Sequence, residues 1–154
     1  MLVHATCVAI RASGRWRAAL LRGPSGAGKS DLALRLIEAG ARLVSDDQTS
    51  LRSRDGAVLA TAPASIRGLI EVRGIGIVRL DRSELVARAA IALLVDLVDA
   101  AEIERLPEPG HEVLLGARLP VVALAPFEAS APAKLRLALT QAGKASSAPR
   151  PHAR

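Results

Sequence analysis

Aromatic side chains are almost missing from this chain: it has no tyrosine, one tryptophan (Trp16) and one phenylalanine (Phe127), although half of its 154 residues are hydrophobic. A core without rings must be filled by Leu, Val, Ile and Ala, the usual content of parallel strands covered by helices. The same scarcity argues against a single-stranded nucleic-acid partner, because two rings in the whole chain offer successive bases little to stack on. Cysteine is scarce too. Cys7 stands alone, which excludes an intrachain disulfide, fits a reducing compartment and leads us to expect a cytoplasmic protein. No run approaches the roughly 18 apolar residues of a membrane span, and no basic segment precedes an apolar one at the amino terminus, so a membrane partner is not expected. Lysine is the rarer base, with only Lys29, Lys134 and Lys144 among 21 basic residues. The net charge of +6 owes three positive charges to residues 143–154. That stretch is rich in Pro, Ser and Arg and is expected to be a disordered basic tail behind one domain over residues 1–142.

Against this background one segment stands out. Gly23-Pro24-Ser25-Gly26-Ala27-Gly28-Lys29-Ser30 is the phosphate-binding pattern G-x-x-x-x-G-K-[ST]. It lies between an apolar run, Ala18 to Leu21, and a helical pattern carrying Leu32, Leu34, Leu36 and Ile37 that stops at Gly40. Its glycines let backbone N–H groups turn toward phosphate oxygens, and the following helix start adds positive potential. Lys29 has the reach for the β/γ-phosphates, and Ser30 has the hydroxyl for Mg²⁺. In a chain that otherwise prefers arginine, a lysine here is telling, because a planar guanidinium does not replace the compact ammonium.

The remaining pattern is that of alternating strands and helices. Leu2–Ile10 and Trp16–Arg22 read as strands around a turn at Ala12-Ser13-Gly14, and Ala41–Ser45 as a short strand ending in Asp46-Asp47. Thr49–Leu51 and Ala57–Ala60 flank a hairpin turn at Arg54-Asp55-Gly56. Residues 63–76 read as loop-rich, and a helix is expected from Ser83 to Ala90 with Ser83 as its cap. Ile91–Asp99 reads as a buried strand, residues 112–115 with 119–124 as a β pair, and residues 130–142 as a closing helix stopped by Gly143.

A nucleotide site of this kind needs a carboxylate near the metal, and two sets compete: Asp46-Asp47, and Asp96 or Asp99. The second set ends a strand in the manner of a Walker B segment. The first offers neighbouring carboxylates that point to different sides, one for the metal and one for an acceptor hydroxyl. A double aspartate is also a common solvated turn.

Taken together, several segments resemble the catalytic domain of HPr kinase/phosphorylase. They are His4, Gly23 to Ser30 with Asp31, Arg42-Leu43-Val44-Ser45-Asp46-Asp47, and Ile70-Glu71-Val72-Arg73-Gly74-Ile75-Gly76-Ile77. The last segment is the most specific of these. The resemblance implies an α/β fold, a P-loop kinase domain of the HPr kinase/PEP-carboxykinase-like type with a mixed β-sheet and flanking helices. It implies ATP and Mg²⁺ as cofactors, an HPr-like phosphocarrier protein as acceptor, and a homo-oligomer, a hexamer in this family. Lys29 would hold phosphates, Ser30 and Glu71 would serve the Mg²⁺ site, and Asp46 or Asp47 would accept the serine proton in phosphorylation and return it in phosphorolysis, with His4 beside the pair to orient it or tune its charge. Arg73, Gly74 and Gly76 would form the substrate-facing signature loop, with Arg73 either a phosphate ligand or a surface ion-pair partner.

Two departures accompany the match. Fuller family members have a domain ahead of the kinase domain, so a short, catalytic-domain-only form is expected. They also carry a Pro-Gly-Arg-Asn loop near the end of the last strand, where this chain has Ala125-Pro126-Phe127-Glu128-Ala129-Ser130 and no arginine, which bears on phosphorolysis in particular. The leading expectation is Mg-ATP-dependent phosphorylation of a serine of HPr. A P-loop kinase for a small metabolite, with Arg67 and Arg73 in a lid, and a nucleotide-sensing regulator without turnover are the alternatives.

Overall fold

The hairpin at the amino terminus sets the frame of the molecule, which a computed structural model describes over residues 1–147. After β1 (Leu2–Val3), strands β2 (Ala5–Ala12) and β3 (Arg15–Arg22) pair antiparallel along their whole length, from Ala5 opposite Arg22 to Ala12 opposite Arg15. Ser13 and Gly14 join them with positive φ at both positions, the two-residue turn whose twist matches that of the strands. Helix α1 (Lys29–Glu38) follows, then β4 (Arg42–Ser45), β5 (Thr49–Arg54), β6 (Ala57–Thr61), β7 (Leu69–Val72) and β8 (Gly76–Arg79). Strand β9 (Arg88–Leu97), β10 (Gly110–Leu114), β11 (Ala117–Leu124) and helix α2 (Ala131–Ser147) complete the order.

Nine strands form one mixed sheet in the order β1-β5-β6-β9-β3-β2-β4, with β11 joining β9 and β10 beyond it, while β7 and β8 form a separate hairpin. The ten residues of β9 lie at its centre. One edge of β9 runs parallel to β3, and the other is shared by β6 at its start and β11 at its end. Because β3, β9 and β11 run parallel, their carboxyl ends, and the segments that leave them, gather at one end of the sheet. That is where open α/β sheets receive ligands.

Both faces of the sheet are buried, which explains the near-continuous apolar runs. Val8, Ala19, Leu21, Leu93 and Val95 pack beneath Leu32, Leu36, Leu135 and Leu139 of the helices. Cys7, Leu20 and Leu94 face the opposite way and meet Leu51 and Val58 of the curled sheet. Burial pushes the Cys7 thiol well above its ordinary pKa, so it is a packing residue and a poor thiolate. A bulge at Ala92, between the pairs Ala18–Ile91 and Ala19–Leu93, keeps both sides of β9 in step with their cores. Trp16 lies at the sheet's far end with the Arg42 guanidinium 4.7 Å from its ring centre, a cation–π contact.

Helix α1 ends as its pattern predicts. Gly40 adopts φ 104, and the N–H groups of Gly40 and Ala41 bond back to the carbonyls of Ile37 and Leu36, a Schellman closure that a side chain at Gly40 would strain.

Four expectations need correction. The first strand is interrupted at His4, which occupies a bend between β1 and β2. Residues 63–76 hold a 3₁₀ turn and β7, whose partner β8 follows them. The helix expected over Ser83–Ala90 is instead a 3₁₀ turn at Arg82–Glu84, capped by Asp81, followed by the start of β9. The β-branched and leucine-rich run beyond it pairs with three neighbouring strands, and those pairings override the local helical pattern. Finally, α2 passes through Gly143 to Ser147. The rest of the expected tail, 148–154, lies outside the described residues.

Candidate active site

The P-loop leaves β3 and enters α1 at Gly28, whose φ of 99 is left-handed. A Cβ added there would lie 2.9 Å from Cζ of Phe127, so both conformation and space require glycine. Among the described residues no side chain caps the start of α1, which leaves its first N–H groups to a ligand. Lys29 is buried, and its ammonium donates to the carbonyls of Gly23 at 2.6 Å and Pro24 at 3.0 Å. A buried ammonium must be paired, and the loop itself supplies the acceptors.

The acidic end of β4 is tied directly to that loop. The Asp46 carboxylate is buried and accepts three hydrogen bonds, from Ser30 Oγ at 2.7 Å, Thr6 Oγ1 at 3.0 Å and the Glu71 N–H at 2.9 Å. One side chain thus joins the P-loop, β2 and β7. Asp47 is different. Its φ of 66 is left-handed, its N–H donates to Thr6 Oγ1 at 3.0 Å, and its carboxylate accepts from His4 Nε2 at 2.7 Å. Gln48 N–H closes the turn on the Asp46 carbonyl at 2.7 Å. A non-glycine residue held in this conformation stores strain, which the three contacts around it sustain.

Asp96 and Asp99, the competing acids, are engaged elsewhere. Arg22 grips both oxygens of Asp96 at 2.8 and 3.2 Å and Glu112 at 2.6 Å. Burial opposes the charge of Arg22, yet the bonds to Glu112 and Asp96 outweigh it and raise its pKa, while the bond from Arg22 lowers that of Glu112. Asp99 caps the 3₁₀ turn Ala100–Glu102.

A cavity of about 590 Å³ opens between the P-loop and the β7–β8 hairpin, lined among others by Lys29, Ser30, Asp47, Glu71, Arg73 and Phe127. Ser25, Gly26 and Gly28 also border it. Gly23 supplies a carbonyl to Lys29, and Pro24 and Ala27 face a second cavity. Gly74 and Gly76 do not line either cavity; with φ of 87 and 120 and open space around them, they shape the hairpin turn. Three or more His, Cys, Asp or Glu side chains nowhere cluster as a metal cage among the described residues. The residues present fit Mg²⁺ nonetheless: Ser30 and Glu71 line one cavity and carry hard oxygen donors, and this ion binds through one or two carboxylates with waters and substrate phosphates.

Three residues escaped the sequence reading. Thr6 bonds both aspartates, yet in sequence it is an ordinary strand residue. Arg35 donates to the carbonyls of Pro126 and Glu128 and so fixes the loop after β11. Phe127 is 70% exposed at the cavity edge; the signal for it was present, as the one phenylalanine of a ring-poor chain just past a strand end.

Comparison with known proteins places this geometry. Residues 1–129 match the family model of the HPr serine kinase C-terminal domain, and the chain belongs to that family. HPr kinase/phosphorylase of Clostridium botulinum (strain Eklund 17B / Type B) is 48% identical over 59 residues, covering 38% of this chain and 19% of the relative. The protein of the same name from Lactobacillus acidophilus is 36% identical over 102 residues, covering 63% of this chain and 30% of the relative. This chain therefore spans less than a third of the length of those curated relatives. The solved structure of the Hpr(Ser) kinase/phosphatase from Coxiella burnetii matches with a TM-score of 0.77 at 24% identity, over 95% of this chain and 97% of that one. The mixed sheet with flanking helices is thus the fold of that kinase.

Proposed function

We propose that this chain transfers the γ-phosphoryl group of Mg-ATP to a serine hydroxyl of an HPr-like phosphocarrier protein. The observation that carries the reading is the shared cavity, in which Lys29 and Ser30 of the P-loop meet the exposed carboxylate of Asp47. Lys29 would exchange the Gly23 and Pro24 carbonyls for the β/γ-phosphate oxygens. Mg²⁺, held by Ser30 and Glu71, would offset the phosphate charge. Arg73, the other cation lining the cavity, would face the transferred group.

Of the aspartate pair, Asp47 is assigned as the base. Asp46 already accepts from three protein donors and acts as a positioning residue, whereas Asp47 has an exposed carboxylate with His4 to orient it. In the transfer, the serine Oγ forms a bond to the γ-phosphorus and the bond from that phosphorus to the β–γ bridging oxygen breaks. ADP leaves with the electron pair, and the serine proton passes to Asp47. Most of the rate would come from positioning and charge neutralisation.

A protein acceptor suits the site better than a metabolite does, because Ile75 and Ile77 stand 78% and 74% exposed on the β7–β8 hairpin at the cavity's edge. Exposed isoleucines beside a cleft are what a macromolecular partner covers.

Mass spectrometry of HPr after incubation with this chain and Mg-ATP tests the reading. Serine phosphate should appear with the native chain and be absent with Lys29→Ala. Label on a metabolite panel but not on HPr would overturn the acceptor, and a nucleotide complex that never turns over would overturn the enzyme. Loss of serine phosphate on adding inorganic phosphate, scored in the same samples, decides whether phosphorolysis accompanies transfer.

A further inference from the structure

Across the Phe127 ring from the phosphate cavity lies a second one of about 640 Å³. Its walls are the segments that follow the three parallel strands: Pro24 to Ala27 after β3, Leu97 to Glu102 after β9, and Ala125 to Glu128 after β11. Ser25 and Gly26 border both cavities, so the two adjoin at the P-loop. Their chemistry is opposite. The phosphate side carries the cations Lys29 and Arg73. Among the described residues the second cavity has no cationic side chain in its lining; it has apolar walls from Leu97, Val98 and Pro126 and a rim of carboxylates from Asp99, Glu102 and Glu128.

Phe127 is held in place while its ring remains open to solvent. Arg35 grips the carbonyls on either side of it, and the ring edge rests on Gly28. We infer that the second cavity receives the base and ribose of the nucleotide, with Phe127 as the ring against which the base stacks. This rests on the phosphate-site reading above. The volume is ample for a nucleoside, and the apolar walls suit an aromatic heterocycle. The rim determines which end enters. Carboxylates repel phosphate but accept from ribose hydroxyls and exocyclic amino groups, and those here retain lone pairs beyond the bonds they already make to Lys134 and to the 3₁₀ turn. The nucleotide is thereby oriented with its phosphates toward Lys29.

Titration calorimetry of the full chain with Mg-ADP and with magnesium pyrophosphate tests this, using Phe127→Ala and Ala100→Trp, the latter placing a ring in the cavity from an exposed turn position. The native chain should bind ADP at least tenfold more tightly than pyrophosphate. Each variant should lose about tenfold in ADP affinity, the size of one base–aromatic contact, with pyrophosphate affinity within about twofold of native. ADP affinity unchanged in both variants would overturn the inference. Loss in Phe127→Ala alone, with Ala100→Trp indistinguishable from native, would overturn the assignment of this cavity by putting the base on the other side of the ring. If the native chain bound neither ligand, the phosphate-site reading would fall, and this inference with it. Should Phe127→Ala lose pyrophosphate as well, its ring shapes the P-loop, and Ala100→Trp alone then decides.

Discussion

Two acidic strand ends lie near the P-loop, and they are used in opposite ways. At the end of β9, Asp96 and its neighbour Glu112 are bound by the Arg22 guanidinium, which holds both faces of the interaction with three short bonds. At the end of β4, Asp46 is held by a serine, a threonine and a backbone amide, none of which carries a charge. The first arrangement sets one guanidinium against two carboxylates, which offsets part of their charge, and joins β3, β9 and β10. The second preserves it beside the Gly23–Ser30 loop. Proximity to the loop does not distinguish the two sets; the charge of their partners does.

The most severe test of that contrast is Asp47→Asn against Asp96→Asn. Loss of a general base should lower serine transfer by about 10² to 10⁴, while Asp96→Asn should leave the rate within a few-fold. Equal losses in a radiolabel transfer assay would erase the distinction. Next in size is Asp46→Asn, which presents an amide NH₂ to donors and leaves one of them unpaired in a buried site. It should lower unfolding free energy by about 1–3 kcal/mol, read by urea denaturation.

Thr6→Val sharpens the comparison further, since it removes the hydroxyl shared by both aspartates at nearly constant shape. Stability should fall by about 1 kcal/mol. If Thr6 positions Asp47, kcat should fall while KM for ATP stays put, and Thr6→Ser should restore most of the loss. A fall in stability with kcat unchanged would leave Thr6 with packing alone.

The smallest effect belongs to the arginine-paired end. Because the bond from Arg22 lowers the Glu112 pKa, the folded state binds fewer protons there than the unfolded chain does. The resulting stability is present above the unfolded pKa and disappears as pH falls through the folded one. Glu112→Gln should therefore lower the neutral-pH melting temperature slightly and flatten its fall in acid. A parallel shift at all pH values would show that the pair contributes no linked proton.

Much of this was legible in the sequence where the determinant is local. The P-loop, the turns at Ser13-Gly14 and Asp55-Gly56, and the closure of α1 at Gly40 each depend on a few consecutive residues, and each stands where its pattern placed it. Misreadings fell where long-range pairing prevails. Ser83 to Ala90 has a passable helical pattern, but Ala89 and Ala90 are drawn into the sheet by β6 and β3. His4 reads as a strand residue, and the bend that turns it toward Asp47 is made by contacts more than forty residues away.

Sequence alone determined that a loop of the G-x-x-x-x-G-K-[ST] pattern joins a strand to a helix in an α/β domain, and that two sets of acids were available to it. Only the tertiary structure decided which acid keeps its charge open to the cavity. Bonds such as Thr6 to Asp46 and Arg22 to Asp96 span 40 and 74 positions along the chain. No local spacing records them, because hydrogen-bond partners at that separation exist only once the sheet has brought β2, β3, β4 and β9 side by side.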